Sequence, residues 1–366
     1  MQRRTLMATA AATALFGTAR AAGPVRVGAI EILSGPNAAY GIAIKAGLDL
    51  ALAEVNAGGE RIALTVEDSA GDKNQAINAA RKLIGRDHVS AIIGPTLSNE
   101  MFAVGPVANS RGIPIVGTST TANGITDIGP WVFRTSLPES DVIPVTLAYA
   151  KTHGVKTIAL LYANDDAFSK SGFDVMQGAA KKAGLNVLDT ESFGSKDADF
   201  SAQLTKIKAL KPDAVGISAL VEPVAGVLLQ ARRLGFGRET LFVGGNGSNS
   251  PKLGQIAGPA ADGLIVGSPW FVGKADPVNT KFVAAFHAKY GRDPDQFAAQ
   301  AYDAMHIVAA AVEAGGTDEA KIKAALLKTD YNGVMGPFQF TPDRNPASAK
   351  GVVVLQMEGG AFRIAP

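Results

Sequence analysis

Short runs of β-branched and aliphatic residues alternate along this chain with longer stretches whose apolar positions recur every three or four residues. Val25–Ile30 and Ile62–Glu67 are such runs, followed by helical stretches near Tyr40–Val55 and Lys73–Arg86. In the first helical stretch Ile44, Leu48, Leu52 and Val55 fall on one stripe, the face a helix needs to pack on a sheet. This βαβα order predicts parallel strands with helices on both faces.

The pattern restarts at Thr157–Tyr162. A helix reaches Ala183, a strand lies near Asn186, and a helix over Asp199–Leu210 leads to a strand at Ala214–Ile217. A helix over Pro223–Leu234 leads to Leu241–Val243 and the turn Gly244–Gly247. Further helices are predicted at Asn279–Tyr290 and Gln296–Ala314, and closing strands at Gly351–Met357 and Ala361–Ile364. Ser136–Pro144 and Gly267–Gly273 are polar or Gly/Pro-bearing and suit crossings between two units. The expected body therefore has two lobes, with a ligand between them.

Two strands end in hydroxyl-rich turns: Ala91-Ile92-Ile93-Gly94-Pro95-Thr96-Leu97-Ser98 and Ile113-Pro114-Ile115-Val116-Gly117-Thr118-Ser119-Thr120-Thr121. Each turn is expected to lead into a helix, so that unpaired N–H groups and the hydroxyls of Ser98, Ser119, Thr120 and Thr121 converge where a small anion is stabilised. The same residues also serve as plain helix caps. Two such turns at neighbouring strand ends match where open sheets hold ligands.

The first residues place Arg3 and Arg4 before an apolar stretch, Leu6–Phe16, and a small-x-small site at Ala19-Arg20-Ala21. That is the pattern of a cleaved secretory signal peptide over 1–22, with Sec and twin-arginine export both open. The mature protein is then expected outside the cytoplasm, in the periplasm. There are no cysteines, which excludes disulfides, thiolate metal sites and cysteine nucleophiles. Discounting Arg3, Arg4 and Arg20 takes the formal charge from +2 to about −1, so no basic field exists for nucleic acid.

Enzyme chemistry has little to stand on. His88, His153, His287 and His306 are scattered, and none has metal-ligand spacing to a second ligating residue. Gly245-Asn246-Gly247-Ser248 lacks the closing glycine of a nucleophile elbow, and phosphate-loop and dinucleotide fingerprints are missing. No cofactor, no metal and no catalytic residue is expected.

From Val25 onward the chain resembles the periplasmic substrate-binding proteins of ABC importers, of the branched-chain amino acid (leucine/isoleucine/valine) binding type. The signatures are Ser34-Gly35-Pro36-Asn37-Ala38-Ala39-Tyr40-Gly41, Ile93-Gly94-Pro95 with Ser98, Ala108 through Ile113-Pro114, and Gln230-Ala231-Arg232. Ala301-Tyr302-Asp303-Ala304 and Gly333-Val334-Met335-Gly336-Pro337-Phe338 complete the set. The resemblance implies an α/β fold of two doubly wound parallel-sheet lobes joined by three crossings. Lobe one would hold 24–140 and 269–348, and lobe two 141–268 and 349–366. It implies a ligand carboxylate gripped by Ser98 and Thr121, the Ser119 carbonyl open to a ligand N–H, and Tyr40 covering the ligand. Phe168 and Leu220 stand where the family often has aromatic residues.

One position departs from the family. Amino acid binders commonly place a glutamate where this chain has Asn246, and an amide cannot neutralise a buried ammonium. Either Glu222, Asp165 or Glu31 supplies the charge, or the ligand lacks an ammonium. Phe168 and Leu220 make the pocket apolar, as a hydrophobic or aromatic acid requires; Trp270 and Phe271 are either an aromatic wall or hinge packing. The expected role is capture of a small carboxylate, a hydrophobic amino acid as the family default or an aromatic or branched carboxylic acid as Asn246 favours, by a monomer that delivers it to inner-membrane ABC permease subunits. A periplasmic ligand sensor on the same fold is the alternative.

Overall fold

The structure is a computed structural model describing residues 23–347 and 351–366. The predicted leader, 1–22, lies outside the described residues.

The first sheet is built by β1 (Val25–Glu31), α1 (Ala38–Val55), β2 (Ile62–Asp68), α2 (Lys73–Gly85), β3 (Ala91–Ile93), α3 (Ser98–Arg111), β4 (Ile115–Gly117) and β5 (Val132–Arg134). Its order is β2-β1-β3-β4-β5 and every pairing is parallel. β1 sits inside this sheet, and from Val27 to Glu31 each of its residues is buried, as a strand covered on both faces must be.

The second body holds α4 (Glu139–Thr152), β6 (Thr157–Ala163), α5 (Ala167–Ala183), β7 (Asn186–Phe193), α6 (Ser201–Leu210) and β8 (Ala214–Ser218). It continues with α7 (Val221–Arg233), β9 (Leu241–Gly244), α8 (Pro251–Ala257) and β10 (Ile265–Ser268). The chain then returns to the first body through α9 (Pro277–Tyr290), α10 (Gln296–Gly315), α11 (Glu319–Leu326) and a hairpin of β11 (Tyr331–Gly333) and β12 (Gly336–Phe338). α1 lies against α10 so closely that a side chain on Gly47 would overlap the Ala298 carbonyl. Finally β13 (Val353–Glu358) and β14 (Ala361–Ile364) rejoin the second sheet, in the order β14-β13-β10-β9-β8-β6-β7. The last two strands pair antiparallel, so this sheet is parallel except at one edge.

Two local expectations are corrected. Ser136–Pro144 is not all crossing, because α4 already begins at Glu139 and contains Pro144. A proline there leaves the Ser140 carbonyl without its helical partner, and Ser140 is exposed to water that can replace it. The turn after β4 does not lead into a helix either; only a single 3-10 turn, Thr126–Ile128, follows. The carbonyls of Thr120 and Ala122, which a helix would need, are taken by the Arg134 guanidinium at 3.2 and 2.6 Å.

The motif residue Asp303 proves to be a splint. Its carboxylate accepts from the N–H groups of Val334 and Met335 at 2.9 and 2.8 Å and from the Tyr331 hydroxyl at 3.1 Å. It ties the β11–β12 hairpin to α10.

Candidate ligand-binding site

Between the two bodies lies a chamber lined by Tyr40, Thr96, Leu97, Ser98, Ser119, Thr121, Phe168, Leu220, Asn246, Gly247 and Phe297. Its free interior is about 20 Å³, little more than the space of one water. Every predicted site residue except Thr120 reaches it. Thr120 is buried, its hydroxyl packed over the Cα of Gly117.

The floor is the β3–α3 turn. Gly94 has φ +99°, and a Cβ there would stand 2.9 Å from Glu31 Oε1 and closer still to the Ile30 carbonyl, so the bend needs glycine. Thr96 donates its hydroxyl to Glu31 at 2.6 Å and accepts from the Ile32 N–H at 3.1 Å. Leu97 N–H donates to the Glu100 carboxylate at 3.0 Å, which fixes the start of α3. Ser98, the first residue of that helix, accepts from the Ala122 N–H at 3.2 Å, which leaves its own hydroxyl proton available.

The β4–β5 turn forms the adjacent wall. Ser119 donates to the Thr96 carbonyl at 2.5 Å and so joins the two turns. Thr121 Oγ1 is buried and has no hydrogen-bond partner among the described residues. Leaving such a hydroxyl unpaired costs about 1–3 kcal/mol, a cost a bound acceptor removes. Arg134 grips the carbonyls on both sides of Thr121 and also donates to Asn345 at 2.6 Å. Burial lowers this guanidinium to about 10, so it stays charged at neutral pH and biases the wall towards anions.

The second body closes over this floor with Phe168 at the start of α5, Leu220 before α7, and Asn246–Gly247 after β9. The lobes are shut. Tyr40 donates to the Gly247 carbonyl at 2.6 Å and accepts from the Val221 N–H at 2.8 Å. Asn99 bonds the Asp166 carboxylate and accepts from the Ala167 N–H at 2.7 Å, while Asn123 N–H donates to Ser171 at 2.8 Å. Phe297 meets Tyr40 edge to face, with ring centroids 4.9 Å apart.

No lining residue carries a charge. Of the acids considered for an ammonium, Asp165 is engaged outside by Ser195 at 2.7 Å, Glu31 lies one layer behind Thr96, and half-buried Glu222 does not line the chamber. Sequence reasoning missed Glu139, whose buried carboxylate accepts from the Asn246 N–H at 3.0 Å. Burial lifts its pKa to about 7, against the pull of that hydrogen bond. It also missed Phe297, Arg134 and Gln296, which come together only through the fold. Trp270 stands outside the chamber as hinge packing, its indole donating to Asn279 at 2.7 Å beside Phe282.

The sequence matches the profile of the periplasmic binding proteins over residues 24–361. The chain belongs to that family. Among its relatives is the Leu/Ile/Val-binding protein BraC3 of Rhizobium johnstonii, 30% identical with 90% of this chain and 89% of that one covered. A leucine-binding protein structure from Thermotoga maritima superposes with a TM-score of 0.88 at 28% identity, covering 93% of this chain and 98% of that one. A Rhodopseudomonas palustris ABC-transporter solute-binding protein in complex with benzoate gives 0.85 at 25% identity, with 93% and 95% covered. Family members thus include proteins named for branched-chain amino acids and one solved with an aromatic acid. Among the described residues no helix is long and apolar enough to cross a membrane.

Proposed function

We propose that this protein is the extracytoplasmic solute-binding component of an ABC importer and that its ligand is a small carboxylic acid with an aromatic or branched apolar body. The observation that carries the reading is a closed, uncharged chamber in which the Ser98 and Thr121 hydroxyls have protons to give. Neutral donors at a helix start, backed by Arg134, suit a carboxylate. An ammonium would be buried without a counter-charge in the lining, which is severely unfavourable. Phe168, Leu220, Phe297 and the ring of Tyr40 supply the apolar body's contacts. Lobe closure traps the ligand, and the closed monomer presents it to the permease.

The test is calorimetric titration with matched acids and primary amides, such as benzoate against benzamide and 4-methylpentanoate against its amide. The acid is expected to bind at least tenfold more tightly in each pair that binds. Equal affinity for the amides, or no binding of any carboxylic acid, refutes the reading.

A further inference from the structure

The Asn246 amide is not free to choose its polarity. Its Oδ1 accepts from Gln296 Nε2 at 2.7 Å, and the Gln296 Oε1 accepts from Asn249 Nδ2 at 2.8 Å. These three buried amides run in series, each donating to the next. Glu139 holds the backbone of the same turn from beneath. The Asn246 oxygen is therefore turned towards Gln296, which leaves its NH2 as the end that points away from the relay. With Oδ1 turned to Gln296, its Nδ2 donates to no other described residue, and the side chain lines the chamber.

We infer that Gln296 is a specificity-determining residue: it turns Asn246 into a hydrogen-bond donor, so the ligand carries an accepting oxygen, such as a keto, hydroxyl or ether group, where it faces Asn246. This rests on the reading of the chamber as a carboxylate site. Gln296 opens α10 on the first body, whereas Asn246 and Asn249 belong to the second. The relay forms only when the lobes meet, so closure itself sets the polarity. A ligand amine at this place meets a donor with a donor and leaves Asn246 Nδ2 unpaired in a closed site. That mismatch discriminates far more strongly than a change in apolar bulk.

Two shape-matched pairs test it by calorimetry: 4-hydroxybenzoate against 4-aminobenzoate, and 4-methyl-2-oxopentanoate against leucine. The oxygen-bearing member is expected to bind at least tenfold more tightly in whichever pair binds. In Gln296→Leu, checked for folding by circular dichroism, the Asn246 amide can rotate and the ratio should fall towards one. Asn246→Asp, which has no donor to offer, should lose the preference as well. An amine that binds the wild type as tightly as its oxygen counterpart overturns the inference, even if the variants do not fold. A full preference surviving in folded Gln296→Leu overturns the role of Gln296. Failure of every acid to bind strikes instead at the carboxylate site beneath it.

Discussion

Tyr40→Phe isolates the energy of lobe closure. Among the described residues the hydroxyl hydrogen-bonds only to groups of the opposite lobe, donating to the Gly247 carbonyl and accepting from the first N–H of α7 at Val221. The phenylalanine ring keeps its edge-to-face contact with Phe297 and its place in the core. In the open form both lobe-two groups are hydrated, so the variant loses nothing there. In the closed form they are buried without partners, at about 1–2 kcal/mol each and so about 2–4 kcal/mol together. Because binding draws on closure, affinity for the tightest carboxylic acid should fall roughly 30- to 700-fold. Titration calorimetry reads the fall, and thermal unfolding of ligand-free protein should shift little, provided that form is mostly open. An affinity within threefold of wild type would show that this bridge does not hold the lobes together.

Three further outcomes follow from the same geometry. Thr121→Val removes a hydroxyl that has no partner among the described residues and should weaken carboxylate binding by about 1.5–3 kcal/mol without lowering ligand-free stability; unchanged calorimetric affinity contradicts its role. Asn99→Ala removes the latch to Asp166 and Ala167 and should speed ligand release in stopped flow several-fold, with a release rate equal to wild type counting against it. Burial raises Glu139 from 4.5 to about 7, so its protonated form favours folding; that contribution is fully present below about 4.5 and is lost as pH rises through 7. Glu139→Gln should accordingly gain on wild type by up to about 3 kcal/mol between pH 5 and 8.5, and parallel melting profiles across that range would refute the assignment.

The alternation of β-branched runs with amphipathic stretches was enough to read most strands of both sheets, because a strand buried on two faces has almost no choice but to be apolar; the short strands β5 and β10 were missed, and Gly267–Ser268, read as crossing, ends β10. It failed where local signals conflict with tertiary ones. Pro144 marked a break in a segment that folds as α4, since the missing bond faces water. The run Thr118–Thr121 advertised a second helix start, yet Arg134, thirteen residues beyond Thr121, claims the carbonyls. Ser98, Ser119 and Thr121 could be picked out because hydroxyls at strand ends carry their own warrant. Gln296 and Glu139 could not. Nothing near either residue hints at a partner such as Asn246, which lies 50 and 107 residues away.

The antiparallel pair β13–β14 has a consequence for biogenesis. β10 takes β13 as its outer neighbour, and Tyr149 on α4 donates to the Pro366 carbonyl at 2.9 Å. The second lobe therefore needs a segment that follows α9–α11 and the β11–β12 hairpin in the chain before its sheet has a finished rim. Until then β10 is an open edge with unpaired amides, inviting pairing with another chain. A nascent polypeptide thus has a built-in delay before its second lobe becomes compact, one that exposes it to aggregation if translation stalls short of Val353.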